Sequence, residues 1–307
     1  MKLLCLIFLM LLVGCNDYEI NVINPLEINL NVDYLKLHNQ LQKKLEENNN
    51  TFPLLVYKNG INQKKLIYLG EFHGNDPSDK RFDAIEKYIK EFKPQIILNE
   101  GGEIDSSIHY QNKEIAIKNQ GTLGFLKFCA DKKNVKLVNA DCSEKTEVAQ
   151  LLKKYNKDLL IYIFVCQRFI PQFIDHYNKA FDLESEYQKF TKDYLNNRCG
   201  FKLSKNESQW SYFERLYKLN NDNKTIDLEN FDLNKSQYAA FDKSVLGEIS
   251  KTSLHIRDSA IVTNIYKNIT KYDRVLVVFG ALHLIAQKST LDKIFQNTKT
   301  VKYISLE

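Results

Sequence analysis

Residues 275–283 read Val-Leu-Val-Val-Phe-Gly-Ala-Leu-His, and this stretch is the strongest evidence in the sequence for the fold class. Its first five residues form the most strand-like run in the chain, and a Gly-x-x-His motif follows, ending at His283. A second apolar run at residues 66–69 leads into the same motif, which ends at His73. Glycine lets the backbone turn sharply, so that the histidine three residues later can point back over the strand end. The pattern predicts two strands that each present a histidine at the end.

Shorter apolar runs alternate with amphipathic segments along the rest of the chain. We predict further strands at residues 96–98, 135–138 and 301–304. Apolar residues at helical spacing predict helices at residues 33–48, 78–92, 123–132 and 284–295. Strands that alternate with helices form βαβ units. The sequence therefore predicts an α/β fold with a mainly parallel sheet, built from two related halves that each carry a Gly-x-x-His motif.

The middle of the chain differs from both strand-rich parts. Residues 155–246 have almost no strand pattern and are typical of helices joined by polar turns. Residues 162–241 contain 17 of the 36 aromatic residues. Aromatic residues at helical spacing usually fill a core, although the same density also suits the lining of a pocket. We expect an inserted helical subdomain, whose position in the chain also suits a cap over a site.

Composition and charge exclude several classes of protein. The 307 residues include 43 Lys and Arg against 38 Asp and Glu, a formal net charge of +5, and 44% are hydrophobic. These values are typical of globular proteins and exclude a disordered, collagenous or polytopic membrane protein. The small positive excess is spread along the chain, so we expect no nucleic-acid partner. We predict one α/β domain over residues 33–307.

The N-terminus has the pattern of a bacterial lipoprotein. Residues 3–13 are apolar but too few to span a bilayer as a helix, which is typical of a secretory signal. They lead into Leu-Val-Gly-Cys, which resembles a lipobox with Cys15 as the lipidated residue. We therefore predict a signal peptide over residues 1–14 and a lipidated tether over residues 15–32. A plain signal peptide is the alternative.

A lipidated cysteine predicts attachment to a membrane of the bacterial cell envelope. Asn16 follows Cys15, where some bacteria mark inner-membrane retention with Asp, so the outer membrane is favoured. Export would also allow disulfides, and four cysteines permit three pairings. They are Cys129, Cys142, Cys166 and Cys199. Because none has CxxC spacing, we expect no thiol chemistry.

The ends of four predicted strands carry residues suited to chemistry. They are Glu71 with His73, Glu100, Asp141 and His283. In an open parallel sheet, ligands bind beyond the carboxyl ends of the strands, so these side chains should meet at one edge. A single histidine at a strand end is more often structural, and Glu100 or Asp141 could cap a helix instead. The repeated motif, with an acid between its two copies, favours a functional site.

Two imidazoles and one or two carboxylates can activate water in two ways. The candidate metal ligands are His73, His283, Glu100 and Asp141. This set suits divalent Mn, Co or Zn, and a coordinated water there would ionise near neutral pH. Without a metal, one histidine acts as general base, a carboxylate orients it, and the other histidine or Arg257 stabilises an oxyanion. Glu71 and Glu100 compete for the roles of ligand and proton shuttle, and Arg257 could also be a plain salt-bridge partner.

Three stretches and one acid carry a resemblance to a known superfamily. They are Gly-Glu-Phe-His at residues 70–73, Glu100, residues 255–260 around Arg257, and Val-Phe-Gly-Ala-Leu-His at residues 278–283. Together they resemble the superfamily that joins TraB/GumN proteins, TIKI proteases, erythromycin esterases and ChaN-like haem-binding lipoproteins. The resemblance covers residues 64–142 and 250–307. The later stretches are most similar to TraB and TIKI proteins, and the first to the esterases and ChaN-like proteins.

The resemblance implies hydrolysis of a peptide, amide or ester bond in a peptide or small-molecule substrate. The catalytic residues that it implies are His73, His283, Glu71, Glu100 and Arg257. TIKI-type members are divalent-metal proteases, whereas the esterases use a His-activated water, so both mechanisms stay open. ChaN-like members imply an alternative, a lipoprotein that binds haem or metal without catalysis. A third interpretation is an inactive scaffold that retains the fold.

Overall fold

The computed structural model describes residues 32–47, 51–58, 64–102, 105–175, 182–232, 244–296 and 299–305. These residues form an α/β fold around one mixed sheet of six strands. The strands are β1 Thr51–Lys58, β2 Lys65–Glu71, β3 Ile96–Asn99, β4 Lys136–Asn139, β5 Arg274–Gly280 and β6 Lys302–Ser305. The predicted signal peptide, Cys15 and nearly all of the predicted tether lie outside the described residues.

The strands lie in the order β4-β3-β5-β2-β1-β6. Neighbours from β4 to β2 are parallel, whereas β1 runs antiparallel to both β2 and β6. The predicted α/β class and the mostly parallel sheet are confirmed. Because four adjacent strands share one direction, their carboxyl ends meet at the same edge of the sheet.

Helices flank the sheet and also form the middle of the chain. They are α1 Tyr34–Glu47, α2 Lys80–Phe92, α3 Lys113–Lys133, α4 Glu144–Leu151, α5 Lys157–Phe164, α6 Ile170–Asp175, α7 Leu183–Phe190, α8 Trp210–Asn220, α9 Val245–Ile269 and α10 Ala281–Ile294. Two π-helical segments, Val165–Phe169 and Thr191–Arg198, follow α5 and α7. Helix α3 begins earlier than predicted, because the first part of it lies before a break at Gly121.

β2 and β5 lie inside the sheet because their apolar runs bury side chains on both faces. Tyr68 and Val277 lie in the core that α9 and α10 cover. Leu69 and Val278 lie in the opposite core, against α2 and α3. This alternation follows from the period of two along a strand, and it holds the carboxyl ends of β2 and β5 side by side.

The antiparallel pairing at one side of the sheet was not expected from the sequence. β1 is absent from the predicted strands, and its Pro53 removes one backbone donor from the run, which argues against a strand. β6 was predicted as a strand, but it pairs antiparallel with β1, with Tyr303 opposite Pro53. The sheet is therefore parallel at its centre and extended on one side by an antiparallel pair.

Helices α4 to α8 and the π-helical segments share a hydrophobic core with Ile249 and Ile256 of α9, separate from the two cores that cover the sheet. Phe169 lies at its centre, with ring centroids of four neighbours at 5.2 to 6.0 Å. These neighbours are Phe173, Tyr187, Phe190 and Trp210. Five aromatic side chains thus pack against one another in this core.

None of the helices in the described ranges is long and apolar enough to cross a membrane. The four cysteines that the sequence offered for disulfides are free thiols, and three of them are buried.

Candidate active site

The two Gly-x-x-His motifs lie on adjacent parallel strands but are offset by one residue. Glu71 pairs with Gly280, so that Gly70 lies opposite Phe279. As a result His73 lies in the loop after β2, whereas His283 lies in the first turn of α10. The same sequence motif therefore places one imidazole in an open loop and the other on a buried helix.

The absence of a side chain at Gly280 leaves room for the side chains of Glu100 and His73. A Cβ atom there would lie 3.2 Å from Oε2 of Glu100 and 3.6 Å from Nε2 of His73. Its backbone N–H donates to Oε2 of Glu100 at 2.8 Å. A larger residue would therefore press on the carboxylate that lies between the two histidines.

His73 is oriented by a carboxylate. Its Nδ1 lies 2.7 Å from Oε1 of Glu71, and the other oxygen of Glu71 accepts a hydrogen bond from the Thr122 hydroxyl. Glu71 is buried, whereas 65% of the His73 side chain is exposed. The hydrogen bond to Glu71 raises the pKa of His73 above its usual value, and this gain outweighs the opposing effect of burial. His73 is thus a solvent-facing base whose ring is fixed by a buried acid.

A break in α3 puts Thr122 within reach of Glu71. Gln120 and Gly121 have non-helical backbone, and Gly121 has a φ of 54°. A Cβ atom at Gly121 would lie 2.7 Å from the carbonyl oxygen of Gly74, in the loop that carries His73. Glycine is required there because the backbone conformation and the close approach both exclude a side chain.

His283 is oriented in the same way but is buried. Its Nδ1 lies 2.7 Å from Oδ1 of Asp258, which is fully buried on α9. Asp258 also accepts hydrogen bonds from the amide of Gln287 and the hydroxyl of Tyr34, both at 2.6 Å. Burial by itself lowers the pKa of His283, but the charges of Asp258 and Glu100 outweigh burial and raise the pKa to about 10. His283 is therefore an imidazolium near neutral pH.

Glu100 lies between the two imidazoles. Its Oε2 is 3.6 Å from Nε2 of His73, and its Oε1 is 3.5 Å from Nε2 of His283. Oε1 also accepts a hydrogen bond from Arg257 at 2.7 Å. Burial would raise the pKa of this carboxyl, but the charges of His283, Arg257 and His73 hold it well below the usual range. Glu100 is a permanent anion that connects both histidines to the arginine.

Arg257 completes the cluster from α9. Its Nε donates to Oδ2 of Asp141 at 3.0 Å, and its Nη2 bonds both Asp141 and Glu100. Asp141 also accepts the backbone N–H of Cys142, whereas Ser143 caps α4. Neither Asp141 nor Glu100 is a helix cap, and the structure brings all six predicted side chains into one connected cluster.

Two cavities meet at His73 and Glu100. One, of about 470 Å³, lies towards the break in α3 and is also lined by Thr122. The other, of about 430 Å³, opens towards the helical middle of the chain and is also lined by Arg257 and Asp141. The two cavities therefore leave open space on either side of the His73 imidazole.

Several site residues were missed by sequence reasoning. They are Asp258, Tyr34, Gln287, Thr122 and Glu147. Glu147 is buried at the second cavity, where burial raises the pKa of its carboxyl and the Ser253 hydroxyl donates to it at 2.5 Å. Asp258 follows Arg257 directly, which is the one local signal that could have found it. The others have no motif that marks them.

The donor chemistry at Glu100 can be compared with what a divalent ion needs. Ligands about 2.1 Å from one ion lie roughly 3.3 to 3.6 Å apart, close to the spacing of both Nε2 atoms from Glu100. Each imidazole also has a carboxylate on Nδ1, the usual support of metal-bound histidine. Asp141 is turned to Arg257 instead. As they stand, the His, Cys, Asp and Glu side chains of the described ranges include no group of three arranged to hold a metal.

No protein-family profile matches the chain. No curated protein matches it significantly either.

Proposed function

We propose that this cluster hydrolyses a peptide, amide or ester bond. The proposal depends on the surroundings of His73, an exposed imidazole whose Nδ1 lies against the buried carboxylate of Glu71. Two cavities meet at this imidazole, and the cations Arg257 and His283 both contact the neighbouring Glu100. An imidazole held in this way is a general base, and neighbouring positive charge stabilises the oxyanion of acyl transfer.

The side chains divide the work of such a reaction as follows. Glu71 fixes the His73 ring, so that Nε2 can remove a proton from a water that attacks the carbonyl carbon. Imidazolium His283 and Arg257 supply positive charge to the oxyanion, and Glu100 keeps both cations in place. When the carbonyl–heteroatom bond breaks, His73 returns its proton to the leaving group. The buried pair of His283 and Asp258 keeps its hydrogen bond during these steps, so that the imidazolium charge stays next to Glu100.

We further propose that the cluster can take a divalent Mn, Co or Zn ion. His73 and His283 would hold it through Nε2, together with Glu100, whose distances to both atoms suit that arrangement. Such an ion would lower the pKa of a bound water towards neutrality. Metal binding requires the loss of the His283 proton and a weaker contact of Glu100 with Arg257. The ion therefore competes with the proton on His283 and with the Arg257–Glu100 ion pair.

The order of the site residues along the chain supports two finer proposals. We infer that the chain belongs to the TraB/GumN–TIKI superfamily and that its two strand–Gly-x-x-His units are related halves. We also infer that the helices between β4 and α9 are an inserted subdomain, since the hydrophobic core around which they pack is separate from the two cores that cover the sheet.

The function is tested with p-nitrophenyl esters and fluorogenic peptides, with and without Mn²⁺, Co²⁺ or Zn²⁺. We expect turnover of at least one class of substrate at rates that the His73→Ala protein lacks. A wild-type protein that turns over neither class under any of these conditions contradicts the proposal. A Soret band on purification would instead favour the haem-binding alternative.

The metal requirement is a separate expected result. Chelation of the purified protein should lower its melting temperature, because a metal that binds the folded state stabilises it. Mn²⁺, Co²⁺ or Zn²⁺ should restore the temperature in wild type, but not in His73→Ala or His283→Ala. Because binding removes the proton of His283, whose pKa is about 10, metal affinity should fall steadily as the pH drops below about 10. Full hydrolysis in EDTA by protein that contains no metal would contradict the metal-dependent mechanism. The mechanism with His73 as general base would then stand.

We also propose that the protein is a lipoprotein of the bacterial cell envelope, anchored through Cys15. Replacement of Cys15 by Ala should abolish labelling with a radioactive or clickable fatty acid and release the protein from membranes. Cys199→Ala is the matched control, because that buried thiol has no part in anchoring. Continued labelling of the Cys15 variant would contradict the lipobox interpretation.

A further inference from the structure

An apolar pocket lies among the helices next to the cleft. It has a volume of about 310 Å³, and its lining combines the polar residues Gln172, Glu186, Lys189 and Asp193 with four aromatic side chains. The aromatic side chains are Phe169, Phe173, Phe190 and Tyr194. The size is at the lower end of that for small-molecule sites, and the lining is of the kind that binds apolar groups.

This apolar pocket continues the catalytic cleft. Gln172, Phe190 and Tyr194 line both the apolar pocket and the cavity that contains His73 and Glu100. A molecule whose reacting bond lies beside His73 can therefore extend past Tyr194 into the apolar pocket.

The backbone around the apolar pocket supports a binding role. The first π-helical segment contributes Phe169 to its wall, and the second contributes Tyr194. π-helical turns are rare, and those that occur are frequent at functional sites. Ordinary α-helical turns can fill a hydrophobic core equally well. Core packing alone therefore does not explain why two π-helical segments lie at the same pocket.

We propose that the apolar pocket binds the apolar acyl group of the substrate, which is then an ester or amide of a medium-length apolar acid. This rests on the proposed hydrolase function. Water forms the new C–O bond at the carbonyl carbon, the bond to the alcohol or amine breaks, and His73 passes the proton to that leaving group. The cavity near Thr122 receives the leaving group, on the other side of His73.

The proposal is tested with p-nitrophenyl esters of two-, four-, eight- and fourteen-carbon acids and the full-length protein. Burial of methylenes should raise kcat/KM about threefold each, or about 100-fold from four to eight carbons. Gln172→Tyr places a larger side chain in the wall that the two cavities share, and it should lower the ratio of eight-carbon to two-carbon ester cleavage at least tenfold. Phe190→Ala should move the optimum to longer chains.

Two matched variants control for general effects. Gln150→Tyr makes the same change at an exposed helical glutamine, and Phe231→Ala removes a partly buried ring; neither residue lines the apolar pocket. Both should keep the wild-type dependence on chain length. An identical dependence in wild type, Gln172→Tyr and Phe190→Ala would overturn the proposal.

A binding measurement separates this proposal from the hydrolase function. Trp210 is the single tryptophan, and its ring centroid is 6.0 Å from that of Phe169. We expect 1-octanol to change its fluorescence saturably in wild type and more weakly in Gln172→Tyr. If no ester is cleaved but octanol binds in this way, the hydrolase function fails and the apolar-chain site stands. If octanol gives no saturable change, the apolar-chain site is refuted whatever the activity.

Discussion

His73→Ala should reduce hydrolysis by about a thousandfold or more while the protein stays folded. A positioned general base contributes roughly 10² to 10⁴ to the rate, and in the proposed reaction the same imidazole also returns the proton to the leaving group. Its removal leaves the buried Glu71 carboxylate with only the Thr122 hydroxyl, so the free energy of unfolding should fall by about 1 to 3 kcal/mol. Kinetics with the best ester or peptide, together with denaturant unfolding, measure both quantities.

His109 provides the matched control. It is also an exposed histidine with Nδ1 on a carboxylate, 3.0 Å from Asp131, but it lies outside both cavities. His109→Ala should keep wild-type activity. His283→Ala should be nearly as inactive as His73→Ala, and the double variant little worse, because residues that act as a unit are not additive. Retained activity with a large loss of stability in both single variants would show that these histidines are structural.

The centre of the fold could be predicted because it depends on local pattern. The runs that form β2 and β5 are apolar on both faces, and such runs are typical of buried parallel strands. β1 could not be predicted in the same way, because Pro53 interrupts it and its partners are β2, next in the chain, and β6, more than 240 residues away. Strand pairing at that separation depends on the assembled sheet and leaves no local signal.

The residues of the candidate site also fall into two groups, those that a local sequence pattern marks and those that only tertiary contacts bring into place. Glu71, His73 and Glu100 follow strand ends, where fold topology alone marks them for chemistry. Thr122 reaches Glu71 only because α3 breaks beside it, and Tyr34 bonds Asp258 across 224 residues of sequence. The groups at strand ends were thus predictable, whereas Thr122 and Tyr34, which hold the orienting carboxylates, depend on tertiary contacts.

Asp258→Asn should cause the largest loss of stability among single substitutions in the cluster. Asp258 is fully buried and accepts hydrogen bonds from Tyr34, Gln287 and His283. An amide cannot accept from all three donors, and it leaves the buried imidazolium without its strongest partner. Removal of one member of a buried pair costs about 3 to 5 kcal/mol, and denaturant unfolding at pH 7 measures that cost.

The same substitution should also change how stability depends on pH. The folded-state pKa of His283 is about 10, against 6.5 for the unfolded chain, so its contribution is complete below about pH 6.5 and disappears as pH rises to 10. In wild type this decline should reach at most about 4 kcal/mol. Asp258→Asn and His283→Gln should flatten this decline, whereas Asp131→Asn, which changes an exposed carboxylate, should leave it unchanged.

Since other groups also titrate above pH 9, the difference in stability between the variants is the relevant measurement. Parallel pH curves for wild type and Asp258→Asn would show that His283 is neutral in the folded protein, and its role as a cation beside the oxyanion would then be wrong.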